Sequence, residues 1–277
     1  MINKFIPESL KPSLKKLMYL FLDVNHYIRH GSSGIIPPPS KFFIGTGGYL
    51  KTGVEFADYF TRLGGLKASH SVLDVGCGTG RMAIPLTHIL DKSGSYEGID
   101  IVKDGVDWAS KAIGSKYTNF NFSHTNIFNE LYNPKGTDLA SEYTFPFADN
   151  KFDFIFLTSV FTHMLRDDLE NYLKEISRVL KPGGRCLITY FLLNDESLVR
   201  ISEGKSTIDF KYPHGDCLTN NPEIPEDAIA YREDNIRAVY SDLDMTILDP
   251  ISYGSWCDRS NYLSYQDIII ATKNISK

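Results

Sequence analysis

The chain has few cysteines and no long apolar run. Its 277 residues include four cysteines, and none of these is spaced as Cys-x-x-Cys or grouped with histidines as in a zinc site. The sequence therefore predicts no metal site and a reduced, cytoplasmic environment. The most apolar N-terminal stretch, residues 17–22, is too short to span a bilayer and lacks a small-residue cleavage pattern. We expect neither a transmembrane segment nor secretion.

An excess of basic charge is also missing. The 29 basic and 34 acidic side chains give a net charge of -5, so no global positive field attracts phosphate backbones and we expect no nucleic-acid partner. The charges are unevenly distributed, since residues 1–70 carry nine basic against four acidic side chains. This basic segment can attract an acidic acceptor or carrier protein, although an ordinary solvated surface explains the same charges.

Short apolar segments alternate with helical patterns from residue 71 onwards, which is typical of a mostly parallel sheet covered by helices. The last two strands are joined by an irregular connection, which indicates antiparallel pairing. We predict an α/β fold with a doubly wound, seven-stranded, mostly parallel sheet whose last strand is antiparallel. The predicted strands are residues 72–75, 96–101, 121–125, 152–158, 185–190, 245–248 and 267–271.

The same patterns divide the chain into two parts. Residues 1–65 are predicted to form a helical N-terminal cap, with helices over residues 10–28 and 53–63. Residues 66–277 are predicted to form the main domain. Within it, residues 194–244 break the alternation, are rich in turn residues and carry twelve acidic against five basic side chains. We interpret this segment as an insertion or lid.

A glycine-rich turn follows the first predicted strand, in the run VLDVGCGTGR of residues 72–81. Gly76, Gly78 and Gly80 allow the backbone to bend sharply and approach a ligand, but a plain tight turn explains such a loop too. Arg81 stands where a nicotinamide-binding loop needs a small residue, which disfavours an NAD-dependent enzyme. The carboxylate of Asp100, about 20 residues further on, ends the second strand and can accept ribose hydroxyls.

Four segments in order resemble the motifs of the class I S-adenosylmethionine-dependent methyltransferases. They are VLDVGCGTGR (72–81), YEGIDI (96–101), FPFADNKFDFIFLTSVFTHM (145–164) and EISRVLKPGG (175–184). The resemblance covers residues 66–193 and, more loosely, residues 245–273. It implies a Rossmann-like methyltransferase fold, S-adenosylmethionine as cofactor and S-adenosylhomocysteine as product.

The resemblance also implies the residues of the cofactor site. Asp74, Gly76, Cys77 and Gly78 would surround the methionyl group, Asp100 would bind ribose, and Ile101 would pack on adenine. Asn126, followed by Ile127, stands where the family places an acidic residue near the adenine amino group, and Thr158 follows the fourth strand. The amide oxygen of Asn126 can still accept a hydrogen bond.

His163 is the candidate catalytic base. It follows the fourth strand at the carboxyl edge of the sheet, where open sheets bind ligands. Imidazole titrates near neutral pH and can take a proton from a hydroxyl or amine. A histidine that caps or packs against the adjoining helix is the competing interpretation.

Four further groups have both functional and structural interpretations. Arg81 can pair with a cofactor carboxylate or form a surface salt bridge. An aromatic and glycine cluster in the cap can cover the cofactor or form a turn; it consists of Phe43, Gly47, Gly48 and Tyr49. A late polar and aromatic cluster can line an acceptor pocket; it consists of Trp256, Asp258, Arg259, Asn261 and Tyr262. Two cap histidines, His26 and His30, are expected to be solvated or partly packed.

The sequence thus predicts methyl transfer to a small-molecule or a carrier-, lipid- or sugar-linked acceptor. A non-catalytic cofactor-binding protein or scaffold is the alternative, since binding motifs do not prove turnover. A nucleic-acid methyltransferase is disfavoured by the acidic balance and by Thr158-Ser159-Val160 in place of a base-flipping motif. The sequence does not determine the acceptor atom or the oligomeric state.

Overall fold

The computed structural model describes residues 18, 22–24, 34–41 and 48–275. Most of the helix predicted over residues 10–28 lies outside the described residues, as do Phe43, Gly47, His26 and His30. No helix in these ranges is both long and apolar enough to cross a bilayer.

Seven strands form the main sheet: β1 (Ser71–Val75), β2 (Ser95–Asp100), β3 (Phe120–His124), β4 (Phe152–Leu157), β5 (Leu180–Tyr190), β10 (Met245–Ile247) and β11 (Asp267–Lys273). Their order in the sheet is β10-β11-β5-β4-β1-β2-β3. The order runs outwards from the first strand in both directions, as in a doubly wound sheet. All seven fall on predicted segments, so the predicted fold class is confirmed.

The strand directions also agree with the prediction. Strands β1 to β5 are mutually parallel. Strand β11 lies between β5 and β10 and is antiparallel to both. No long crossover helix is needed between β10 and β11, because an antiparallel pair can be joined by an irregular connection.

Helices cover both faces of this sheet. Helices α4 (Arg166–Val179) and α6 (Glu233–Asp242) cover one face with apolar side chains such as Leu173 and Tyr240. Helices α1 (Tyr49–Arg62), α2 (Ala83–Leu86) and α3 (Lys103–Ala109) cover the other. The ring of Phe60 on α1 stacks on Phe156 of β4, with ring centroids 4.2 Å apart. Helix α1 therefore belongs to the layered core.

The predicted insertion contains three of the four strands of a second, small sheet, and it also contains a helix that packs on the main sheet. Strands β6 (Leu192–Leu193), β7 (Tyr212–His214), β8 (Cys217–Thr219) and β9 (Ile229–Arg232) pair in the order β6-β9-β8-β7, and helix α5 (Asp195–Ser202) accompanies them. The last part of the segment is α6, which buries Ile236 and Tyr240 one turn apart in the main core. Most acidic residues of the segment face outwards, and in the sequence they obscured the apolar pattern of α6.

A buried carboxylate joins the small sheet to the main one. Asp267, at the start of β11, is fully buried and accepts hydrogen bonds from the backbone N–H groups of Leu192 and Gly254, 2.7 Å away in each case. The Trp256 indole N–H donates to the same carboxylate at 2.8 Å, and the Arg259 guanidinium pairs with it at 3.1 Å. These contacts fix the end of β11 against the segment that enters the insertion.

We expect Asp267→Asn to lower the free energy of unfolding by about 3–5 kcal/mol, because it leaves the buried guanidinium of Arg259 without its full counter-charge. Urea unfolding followed by circular dichroism measures this change. Asp258→Asn is the matched control, since the Asp258 side chain is 63% exposed. A loss no larger than that of the control would contradict this role of Asp267.

Candidate functional site

A cavity opens at the carboxyl ends of the parallel strands, with about 890 Å³ of space that includes its opening to solvent. Open α/β sheets bind ligands at this edge, where the strand order reverses. The strand-end residues that line it are Gly76 and Gly78 after β1, Asp100, Ile101 and Val102 at β2, Thr125 and Ile127 after β3, and Thr158, Ser159 and Val160 after β4.

The glycine loop is fitted against the turn that follows β4. Gly76 has φ +88°, and a Cβ added to it would lie 2.3 Å from Cγ2 of Val160. Gly78 has φ +52°, and a Cβ there would meet nothing within 4 Å. Close packing and positive φ therefore require glycine at position 76, whereas the backbone at Gly78 faces open space beside the cavity.

The carboxylate of Asp100 joins the loop to the end of β2. Its Oδ2 accepts the N–H of Gly78 at 2.6 Å, and its Oδ1 accepts the N–H of Val102 at 2.7 Å. Burial raises the pKa of Asp100, and the two backbone donors oppose this shift. The carboxylate lines the cavity while it holds the loop.

Two residues predicted to surround the methionyl group lie behind the loop instead. Asp74 is buried, and its Oδ2 accepts the hydroxyl of Tyr96 at 2.6 Å, while its Oδ1 has no hydrogen-bond partner within the described residues. Burial raises the pKa of Asp74 to about 8. The Cys77 thiol is buried against Gly98. Because alternate residues of a strand face opposite sides, Val75 lines the cavity and Asp74 does not.

Of the residues predicted to lie near adenine, two line the cavity and one does not. Ile101 and Ile127 line the cavity, as expected. Asn126 does not line it, because its side chain is exposed and donates from Nδ2 to Oγ1 of Thr137 at 2.9 Å. The side chains of Thr125 and Asn129 line the cavity in its place.

The turn after β4 brings Thr158 into the cavity. Thr158 is 7% exposed, and Ser159 has φ +58°, an uncommon value for a residue other than glycine. The Ser159 N–H donates to Oγ1 of Thr189 at 2.8 Å, and its hydroxyl donates to Oε1 of Gln266 at 3.0 Å. Neighbouring strands thus maintain this turn in a strained conformation.

His163 lines the cavity, and its ring orientation is fixed by the insertion. Its Nδ1 lies 3.0 Å from the main-chain oxygen of Glu226. Since a carbonyl oxygen only accepts hydrogen bonds, Nδ1 carries the proton and Nε2 is the basic nitrogen. The ring meets Tyr132 edge to face, with centroids 5.5 Å apart. Burial lowers the pKa of His163, which keeps the imidazole neutral at neutral pH.

Sequence reasoning missed several polar residues that line the cavity, among them Asn129, Tyr132, Asp168, Tyr172 and Glu226. Tyr172 lies on helix α4, and Asp168 lies in the first turn of the same helix. Glu226 enters from a short helical turn of the insertion, Pro225–Asp227. No local spacing in the sequence relates this turn to the strand ends.

The remaining candidates lie elsewhere. Trp256 and Arg259 belong to the buried cluster around Asp267 and do not line the cavity, which favours the structural interpretation of these two residues. The Tyr49 hydroxyl contacts Oγ1 of Thr79 at 2.9 Å and so covers the glycine loop from outside. Arg81 is half-buried and forms no salt bridge within the described part of the chain. No group of three His, Cys, Asp or Glu side chains there is arranged to hold a metal ion.

Comparison with known proteins identifies this arrangement. The family described as "Methyltransferase domain" matches residues 73–188, which include the glycine loop, Asp100 and the strand ends around the cavity. Residues 73–188 thus match a methyltransferase domain, in agreement with the resemblance to the class I S-adenosylmethionine-dependent methyltransferases and with S-adenosylmethionine as the cofactor of that family. The resemblance found in the sequence is therefore confirmed.

Similar proteins differ in the acceptors that their names state. The chain is 26% identical to tRNA N(3)-cytidine methyltransferase METTL2 of Bos taurus over 153 residues, which are 55% of this chain and 38% of that protein. It is 32% identical over 143 residues to O-methyltransferase resE of Aspergillus sclerotiorum, which covers 49% and 47%. The chain thus spans less than half the length of these relatives, and the acceptor is not determined by them.

Solved structures show the same fold. The structure of an S-adenosylmethionine-dependent methyltransferase from Methanosarcina mazei superposes with a TM-score of 0.53 at 22% identity, over 78% of this chain and 98% of that one. At this level of identity the similarity concerns the fold of the methyltransferase domain.

We expect the imidazole of His163 to titrate below its ordinary pKa of 6.5 and to carry its neutral-state proton on Nδ1, because the ring is buried and bonded to a carbonyl oxygen. A pH series of two-dimensional ¹⁵N–¹H spectra of the imidazole rings, with His163→Gln for assignment, measures both properties. Exposed His214 serves as the internal reference. Titration of His163 at or above pH 6.5, or a proton on Nε2 in the neutral form, would contradict this geometry.

Proposed function

We propose that the protein transfers a methyl group from S-adenosylmethionine to a small-molecule or a carrier-, lipid- or sugar-linked acceptor, with His163 as the catalytic base. The observation that carries the proposal is the meeting of Asp100, the glycine loop and His163 in one cavity at the strand ends. The family match of residues 73–188 supports the same reaction class.

The residues present fit S-adenosylmethionine. The space beside Gly78 is open, and a side chain at this position would fill part of it. The absence of a side chain therefore suits close approach of a methionyl group to the backbone. The Asp100 carboxylate has an oxygen on each side that can accept ribose hydroxyls in addition to its two backbone donors. Ile101 and Ile127 offer apolar surfaces for adenine, and Thr158 offers a hydroxyl near the sulfonium.

When bound, S-adenosylmethionine supplies an electrophilic methyl carbon: the acceptor's lone pair forms a bond to it, and the carbon–sulfur bond breaks with its electron pair kept by sulfur. The protein's own task is alignment, which contributes roughly 7–11 kcal/mol in well-oriented intramolecular reactions. Nε2 of His163 takes the proton of the acceptor's hydroxyl or amine.

A nucleic-acid acceptor is the second candidate, because METTL2 is named as a tRNA methyltransferase and is similar over residues of the methyltransferase domain. The lining of the cavity weighs against it, since no lysine or arginine lies among the described residues that line it. Phosphate contacts by such side chains supply most of the affinity for nucleic acids. A non-catalytic cofactor-binding protein is the third candidate, and a turnover measurement distinguishes it.

We expect Asp100→Ala to weaken binding of S-adenosylmethionine roughly ten- to hundredfold, because a buried charged acceptor of ribose hydroxyls is lost. Isothermal titration calorimetry with S-adenosylmethionine, S-adenosylhomocysteine and NAD measures the affinities, and NAD is expected not to compete. Asp107→Ala is the matched control, since Asp107 is exposed and pairs only with Lys103 on helix α3. Equal affinities of the wild type and Asp100→Ala would refute the proposed cofactor site.

We expect His163→Ala to lower methyl transfer at least roughly a hundredfold while S-adenosylmethionine affinity changes little, because a general base contributes about 10²–10⁴ to the rate. Incubation of cell extract with the protein and methyl-deuterated cofactor, followed by mass spectrometry, identifies the acceptors and measures the rate. His214→Ala, at an exposed histidine, is the control. Labelling at the wild-type rate by His163→Ala would exclude the base, and no labelling by the wild type would favour the non-catalytic candidate.

A further inference from the structure

The cavity is lined by acidic side chains but by no lysine or arginine of the described residues. Asp100, Asp168 and Glu226 line it, together with His163. The same three carboxylates are absent from the salt bridges of the described residues. Within the part of the chain that the structure describes, the ionised side chains that line the ligand space are therefore carboxylates.

Other half-buried carboxylates of this chain are paired with cations. Glu175 contacts Arg178 at 2.6 Å, and Asp153 contacts Lys181 at 2.8 Å. Burying a carboxylate without a partner is costly, and proteins keep such groups mainly where a ligand or a reaction uses them. The carboxylates of the cavity thus differ from Glu175 and Asp153, and they share the lack of a cationic partner with Asp74 behind the glycine loop.

Two of the three carboxylates come from segments of the chain other than those proposed to bind the cofactor. Asp168 enters from the first turn of α4, and Glu226 enters from the turn Pro225–Asp227 of the insertion. Glu226 is held by Nδ2 of Asn129, which donates to its Oε1 at 3.0 Å. Burial raises the pKa of both carboxyl groups, and Asp168 is close enough to raise that of Glu226 further.

The same part of the cavity contains the general base and aromatic rings. The backbone oxygen of Glu226 accepts a hydrogen bond from Nδ1 and orients the His163 ring, so residue Glu226 and this ring lie side by side in the cavity. The rings of Phe128, Tyr132 and Tyr172 also line the space. Aromatic faces attract cations, and they pack against apolar groups without needing charge.

We infer that the acceptor presents an amine on an apolar body, and that the carboxylate of Glu226 determines this specificity. This inference rests on the proposed function and names the substrate class of the same cavity. A protonated amine balances the negative lining, whereas a carboxylate or phosphate brought into it meets repulsion and no cationic partner. His163 lies beside the amine to receive its proton.

The test compares matched probes: 2-phenylethylamine, 2-phenylethanol and phenylacetate, and the corresponding octyl compounds octylamine, octanol and octanoate. Calorimetric titration of each into the protein saturated with S-adenosylhomocysteine measures binding without turnover. We expect the amines to bind roughly ten- to hundredfold more tightly than the carboxylates of the same skeleton. Tighter or equal binding of the carboxylates, or no binding of the amines, would overturn the inference.

Glu226→Gln removes the charge and retains an amide oxygen for Asn129, and it leaves the main-chain oxygen that orients His163. We expect this variant to lose the amine preference roughly ten- to hundredfold, whereas Glu223→Gln, an exposed residue of the same insertion, retains it. An unchanged preference in Glu226→Gln would overturn the role of this residue. Failure of S-adenosylhomocysteine to bind the wild type would instead refute the proposed function, which separates the two results.

Discussion

The carboxylate of Asp100 makes the glycine loop and the end of the second strand a single unit. It accepts one N–H from Gly78 and one from Val102, at 2.6 and 2.7 Å, so both segments keep their positions relative to each other. A charged acceptor forms stronger hydrogen bonds to N–H groups than a neutral one does. The cavity beside these bonds depends on them, because the loop backbone forms one of its walls and is itself confined by Val160.

The second wall depends on the insertion. The backbone of Glu226 orients His163, and the side chain of Glu226 is tied to Asn129 on the segment after β3. The insertion is in turn anchored by Asp267, which binds the backbone at Leu192 and the buried Arg259. A residue that does not line the cavity thus holds the small sheet against the main one, and Glu226 lies between two strands of that small sheet.

The sequence predicts the sheet well because strand periodicity and glycine turns are local signals. All seven strands, the antiparallel closing pair, and the cavity-lining positions Gly76, Gly78, Asp100 and His163 follow from such patterns. Asp74, Cys77 and Asn126 were assigned to the site by motif position, and their side chains do not line the cavity: that of Asp74 binds Tyr96, that of Cys77 packs at Gly98, and that of Asn126 is exposed. A resemblance locates a segment more reliably than it orients each side chain within it.

Contacts over long sequence distances account for what the sequence does not predict. Glu226 and His163 are 63 residues apart and meet only through the fold of the insertion. The acidic composition of residues 194–244 concealed helix α6, whose buried Ile236 and Tyr240 lie among charged neighbours. The same composition includes Glu226, so a charge excess that indicates a solvated surface at first sight also supplies a residue of the cavity.

We propose that Asp100 and the glycine loop bind one ligand, S-adenosylmethionine, together. The decisive measurement is a crystal structure of the protein soaked with S-adenosylhomocysteine. We expect the ribose hydroxyls on the Asp100 carboxylate and the homocysteinyl group against the backbone of Gly76 and Gly78. An empty cavity under saturating ligand, or NAD bound equally well at the same residues, would contradict it.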